Sequence, residues 1–258
     1  MFGFNRKSHN TDFTVAKSVK LVRDTEGKCA TSLTKVEQQG GLSLKKTVEV
    51  MGSALKKHGA AGIRAQVVLV IDHSGSMYQD YVNGSVQSLA EKFLAFGLQV
   101  DEDGIIPLIK FDSYIFQPIE LDIVNYKSII KDSVFQPNRM GSTNLAQALE
   151  SVREIVSNST DPVFCAVLTD GEPDDKEHTT EIIKDLSRYP VFLKFITVRP
   201  VRYLQQLDDM SDSERLLDNV DTISFTDASR ITDEEFADAM ADEWNSWVEK
   251  ATKAGILI

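Results

Sequence analysis

The chain has 258 residues, 42% hydrophobic and 26% charged, which supplies one sizeable core under an ordinary globular surface. Its formal net charge of −11 argues against a general affinity for nucleic acid or anionic membranes. No run approaches the roughly 18 to 20 consecutive apolar residues of a membrane-spanning helix, so no membrane insertion is expected.

The start, MFGFNRKSHNTDF, has no apolar stretch behind its basic residues. No secretory signal is therefore expected, and the chain reads as cytoplasmic. Residues 1–60 carry eleven Lys/Arg against five Asp/Glu, a local +6 that leaves −17 on the remainder. They read as a basic extension, either solvated or docked on an acidic surface of this chain or another. Residues 1–40 show no convincing periodicity beyond two candidate short strand pieces, Thr14-Val15-Ala16 and Val19-Lys20-Leu21-Val22; Cys29 lies in a polar stretch, and Gly40-Gly41 marks a break. Leu42, Leu44, Val48, Met51 and Leu55 then follow near-helical spacing, which predicts an amphipathic helix over 42–58.

From residue 64 strands and helices alternate, and residues 61–258 read as one domain. Gln66–Ile71 is a continuous β-branched run, as in a strand covered on both faces. Val86, Leu89, Ala90, Phe93 and Leu94 mark a helix. Then come a strand at 105–111, a short strand near 114–119, a helix at 124–134 and a helix carrying Leu145, Ala148, Leu149, Val152 and Ile155. The apolar run 163–168 predicts a buried strand in which Cys165 serves as a small hydrophobe, so neither a disulfide nor a thiolate metal site is expected. A helix at 177–188 and a strand at 191–198 follow. The stretch 205–245 holds thirteen Asp/Glu against two Arg. It contains the strand-like 222–225 and a capping box at Thr232–Glu235, opening a helix with Phe236, Met240, Trp244 and Trp247 on its apolar face. Both Trp residues read as packing anchors, and His58 and His178 as surface residues. Short connections between alternating elements predict a doubly wound α/β fold: a mostly parallel central sheet flanked by helices on both faces.

In such sheets ligands bind beyond the carboxyl ends of the strands. Three polar stretches fall there: Asp72-His73-Ser74-Gly75-Ser76, Gly141-Ser142-Thr143-Asn144, and Thr169-Asp170-Gly171-Glu172-Pro173-Asp174-Asp175. Hydroxyl and carboxylate oxygens are hard ligands, suited to Mg²⁺, Mn²⁺ or Ca²⁺. The D-x-S-x-S alternation presents one carboxylate and two hydroxyls toward a point, with Gly75 easing the turn. Two acids leave a divalent ion incompletely neutralised, open to a carboxylate from outside. His73 reads as a loop residue facing solvent or a neighbour. Glu172, Asp174 and Asp175 read either as a ring around the site or as solvated turn residues.

Asp72-x-Ser74-x-Ser76, Thr143 in GSTNL and Asp170 in TDG together resemble the metal-ion-dependent adhesion site of von Willebrand factor A (vWA) domains. The resemblance implies a metal set of Asp72, Ser74, Ser76, Thr143 and Asp170. In it, Ser74 and Ser76 would ligate directly, Thr143 directly or through water, and the two acids would hold waters and orient the serines. A narrower likeness runs through KHGAAGIRAQVVLVID (57–72), LAEKFLAFGL (89–98), LQQLDDM (204–210), LDNVD (217–221) and the Trp-bearing helix. These resemble the vWA region of bacterial tellurium-resistance (TerF-like) stress proteins. Residues 1–56 depart from that group, being too short for the calcium-binding β-sandwich that often precedes the domain. The expected function is a non-enzymatic binding module that grips an Asp or Glu of a partner protein through a divalent cation, Mg²⁺ foremost. The alternatives are an assembly component with an incidental metal and a Mg²⁺-dependent hydrolase. Against the hydrolase, neither a G-x-S-x-G elbow nor a Gly-rich phosphate loop occurs.

Overall fold

A computed structural model describes residues 13–258 apart from 212, 226, 227 and 229. The first twelve residues of the basic extension thus lie outside the described residues. One six-stranded sheet runs in the order β3-β2-β1-β4-β5-β6. Its strands are β1 (Gln66–Asp72), β2 (Ile106–Phe111), β3 (Ile119–Leu121), β4 (Val163–Thr169), β5 (Val191–Thr197) and β6 (Val220–Ser224). All neighbours are parallel except β2 and β3, which pair antiparallel at one edge. The order reverses between β1 and β4, so the crevice of this doubly wound sheet opens at the ends of those two strands.

Strand side chains alternate faces, which divides the core in two. Val67, Leu69 and Ile71 of β1 join Phe164 and Leu168 of β4 beneath α1 (Leu33–Lys57), α3 (Ser85–Val100), α7 (Asp233–Ala241) and α8 (Trp244–Lys253). Val68, Val70, Cys165 and Val167 pack instead against α4 (Leu145–Asn158), α5 (Lys176–Leu186) and α6 (Arg202–Asp208). The short α2 (Tyr78–Val82) follows β1. Trp244 and Trp247 stack at 5.3 Å and reach Phe192, so both are packing anchors, as expected.

Several elements depart from the sequence expectation. Helix α1 begins at Leu33, not near 42, and kinks at Gly41 (φ 85°, ψ 172°), a backbone that favours glycine. The Gly40 carbonyl accepts a hydrogen bond from the Tyr126 hydroxyl at 3.0 Å. Only Leu33 and Val36 supply apolar side chains before the kink, too few to set a period. The expected helix at 124–134 is a run of turns closing in a π-helical turn at Ile130–Val134, whose Val134 carbonyl accepts from Lys110 Nζ at 3.2 Å. The strand expected near 114–119 forms at Ile119–Leu121. The C-terminal helix is two helices, broken at Glu243, which takes φ 59°. The Thr232 capping box is present.

The described part of the extension docks on its own chain. Val19 forms a parallel bridge with Leu257 and Arg23 an antiparallel one with Ile63. Val36, Leu44, Val48, Met51 and Leu55 enter the core. Basic and acidic side chains pair across the α1–α7 contact, where Lys57 meets Asp238 at 2.7 Å. His58 lies between Asp238 (3.2 Å) and Asp242 (3.7 Å), a fastening of α1 to α7 that its reading as a plain surface residue had not suggested. His178 is exposed and faces Glu150.

Asp101, just past α3, accepts a hydrogen bond from the Val67 amide at 2.8 Å and so ties that helix to the start of β1. Burial pushes its carboxyl from the ordinary 3.8 up to about 7, against the lowering effect of that bond. The folded protein therefore holds this proton more tightly than the unfolded chain. The favourable contribution is full below the ordinary Asp range and is lost as pH rises toward 7. Asp101→Asn keeps an acceptor for Val67 and removes the charge. Urea unfolding from pH 4 to 7 should show a smaller fall in stability with rising pH for the variant than for wild type; equal slopes would contradict this account.

Candidate metal centre

The three polar stretches meet at the rim above β1 and β4. Asp72 closes β1, and Thr169 closes β4 immediately before Asp170. The stretch leading to α4 is bonded to both. Ser74 and Gly141 form a parallel bridge, and the Gly75 amide donates to the Gly141 carbonyl at 2.9 Å. The Asp174 amide donates to the Thr143 carbonyl at 2.9 Å, and Asp174 Oδ2 accepts from the Thr143 amide at 3.2 Å. Asp175 Oδ2 accepts from the Ala146 amide at 3.0 Å, at the start of α4. Asp174, an exposed turn residue, and half-buried Asp175 thus sew the second loop to the third. Glu172 pairs with Lys176.

Gly141, not Gly75, is the position where glycine is demanded. A Cβ on Gly141 would sit 2.7 Å from Ser113 Oγ and 2.9 Å from both Asp112 Cγ and the Ser113 amide nitrogen. Gly75 is not among the positive-φ glycines, and a Cβ there would meet only the Gly141 carbonyl oxygen at an ordinary 3.9 Å.

The side chains converge within this frame. Asp72 and Asp170 are both buried. Asp72 Oδ2 accepts from the Thr169 hydroxyl at 2.6 Å and Oδ1 from the Ser74 amide at 2.7 Å. Ser76 Oγ donates to Asp170 Oδ1 at 2.7 Å and stands 3.0 Å from Ser74 Oγ. Since Ser76 gives its only proton to Asp170, its lone pairs remain free to accept. Burial pushes the Asp72 carboxyl up to about 6, helped by the nearby Asp170 charge and opposed by the bonds from Thr169 and Ser74. Thr143 is buried in the same rim and held through its backbone. Of the five residues singled out from the sequence, Asp72, Ser74, Ser76 and Asp170 are linked by side-chain or backbone hydrogen bonds, and Thr143 is positioned by its neighbours. A set of hard oxygens around two buried acids fits a hard divalent cation.

His73 faces away from this cluster. Its Nε2 accepts from the Gln136 amide at 3.0 Å, so Nδ1 carries the proton toward Asp112 Oδ2 at 3.2 Å. Tyr81 and Phe116 pack edge-on against the ring. The imidazole is wholly buried, and burial holds its pKa below the ordinary value. It joins the end of β1 to the end of β2 and to the chain ahead of Thr143. On the other flank Arg199, two residues beyond β5, donates from Nη1 to Asp170 Oδ2 at 2.8 Å and from Nη2 to Asp80 Oδ2 at 3.1 Å. Burial raises the Asp80 carboxyl, and Arg199 opposes that rise.

A family described as the vWA found in the TerF C terminus matches residues 64–257. The chain belongs to this vWA-TerF-like family. A curated relative, the uncharacterised protein YcbR of Bacillus subtilis, is 27% identical over 221 residues, covering 83% of this chain and 88% of its own. Among solved structures, manganese-loaded TRAP protein of Plasmodium vivax is 19% identical with a TM-score of 0.47, covering 64% of this chain and 70% of that one. The SpRpn10 VWA domain is 12% identical with a TM-score of 0.47, covering 67% and 93%.

The vWA signature residues were legible by type, whereas their supports were not. Asp112 and Arg199 lay outside the stretches singled out; Thr169, Gly141 and Asp174 lay within them, but their supporting roles were not foreseen. Asp112 carried a usable signal, an acid directly after a parallel strand whose end lies at the same rim; Arg199 carried none. Gly141→Ala tests the close approach. The Cβ forces the Asp112–Ser113 backbone and the Thr143 loop apart, and chemical unfolding should register a loss of about 1–3 kcal/mol. Unchanged stability would show that the loops do not meet as described.

Proposed function

We propose that this vWA domain is a metal-dependent protein-binding module. Asp72, Ser74, Ser76, Thr143 and Asp170 hold a divalent cation, Mg²⁺ foremost with Mn²⁺ and Ca²⁺ as the other hard candidates. The ion's open position takes an Asp or Glu carboxylate of a partner protein. We place the module in a bacterial cytoplasmic, stress-response setting of the TerF kind, with residues 61–258 as the vWA unit and 1–60 as its basic extension. Among the described residues no helix is long and apolar enough to cross a membrane.

The observation that carries this reading is the pair of buried acids at adjacent strand ends, with the Ser76 hydroxyl joined to Asp170 at 2.7 Å and standing 3.0 Å from Ser74. Buried carboxylates require compensating positive charge. An ion held by so few acids stays attractive to an outside carboxylate, and Mg²⁺ would complete its shell with water.

The hydrolase alternative draws no support from a Ser74–His73 pair. Both ring nitrogens of His73, the histidine adjacent to Ser74, are engaged by Gln136 and Asp112, and neither is directed to the serine hydroxyl. The assembly alternative relied on the basic extension making contacts between subunits; the apolar side chains of its described part pack into the chain's own core, while Lys20, Lys35, Lys46 and Lys56 stay exposed.

In calorimetric titration with Mg²⁺ and Mn²⁺, Asp72→Ala and Thr143→Ala should each abolish binding while leaving the circular dichroism of the fold intact. In an affinity pull-down, the relevant partners are those lost both with Asp72→Ala and with wild type in EDTA. Unaltered ion affinity in both variants refutes the assigned ligands.

A further inference from the structure

Asp170 is wholly buried, yet the cation beside it is not. The side chain of Arg199 is 50% exposed and that of Asp170 0%. Arg199 reaches inward from the β5–α6 connection, where the following Pro200 biases its backbone toward an extended form. Its fork spans two acids from different elements, Asp170 in the loop after β4 and Asp80 in α2. The charges gathered here are three carboxylates, Asp72, Asp80 and Asp170, against one guanidinium. Asp170 has one oxygen on Ser76 and the other on Arg199. A divalent ion seated among Ser74, Ser76 and Asp170 meets a fixed positive charge already bonded to one of its acids.

We propose that Arg199 is a built-in competitor of the metal ion. In the ion-free protein its guanidinium supplies the positive charge that buried Asp170 requires, and ion binding weakens or displaces that pairing. Arg199 thereby lowers affinity and keeps the centre from filling at low ion concentration. Loading the ion also loosens the clasp between the β5–α6 connection and α2, which links occupancy to the surface beside the site. This inference rests on the metal-centre reading above. Arg199 is half exposed, so solvent and salt screen its repulsion of the ion and the effect is moderate.

The test is calorimetric titration with Mn²⁺ of wild type, Arg199→Gln, Arg199→Met and Asp72→Ala, at low and at high ionic strength. Removing the guanidinium should tighten Mn²⁺ binding by about tenfold at low salt, with the gap narrowing as salt screens it. Arg199→Met provides the comparison should the Gln variant fold poorly. Wild-type binding that is lost in Asp72→Ala, with every folded uncharged variant equal to or weaker than wild type, overturns the competitor role and leaves the metal centre standing. Absence of Mn²⁺ binding by wild type and by both uncharged variants removes the metal centre and this inference together. Tighter binding whose advantage does not shrink with salt shows that the gain is not electrostatic and likewise overturns the proposal.

Discussion

Two carboxylates buried at the ends of neighbouring parallel strands are the constraint around which the rim is organised. Asp72 and Asp170 are placed together because β1 and β4 are adjacent at the point where strand order reverses. Their mutual repulsion and desolvation are costs that the fold does not remove. Hydrogen bonds from Thr169, Ser76 and the Ser74 amide offset part of them. Arg199 offsets another part from one side only. What is left over is a demand for positive charge at a place lined by hydroxyl oxygens.

The surrounding structure holds that cluster in shape through contacts that never enter it. His73 turns its back on the serines to join the ends of β1 and β2 to the stretch ahead of Thr143, and both of its ring nitrogens are engaged in doing so. Asp174 and Asp175 do the same for the loop carrying Thr143. Gly141 lets two backbones pass where any side chain would push them apart. A binding module of this kind depends less on its ligand atoms, which many loops can offer, than on the rigidity with which distant loops present them.

Much of this was readable before any coordinates. Strand–helix alternation, the β-branched run at 66–71 and the apolar run at 163–168 pointed to the doubly wound sheet, and the rule placing ligands beyond the strand ends located the rim. Hydroxyls and acids at Asp72–Ser76, Thr143 and Asp170 then named the chemistry by residue type. Features governed by tertiary packing were hidden. The first turns of α1 have too few apolar residues to announce a helix and are stabilised by packing around a glycine kink. The break at Glu243 interrupts an unbroken apolar period because Trp244 and Trp247 must turn onto Phe164 and Phe192. Arg199 lies 29 residues from Asp170 in a connection without a motif, and only the sheet brings them together. Local patterns report which face is apolar; they do not report which distant charge a buried acid will find.

The most direct measurement of the central claim is anomalous scattering from crystals of the protein grown with Mn²⁺. The account predicts one strong peak at the rim, among the hydroxyls of Ser74 and Ser76 and beside Asp170. Another group of acids, Asp208, Asp221 and Glu243, gathers elsewhere on the chain. A peak at that cluster with none at the β1–β4 rim would contradict the account.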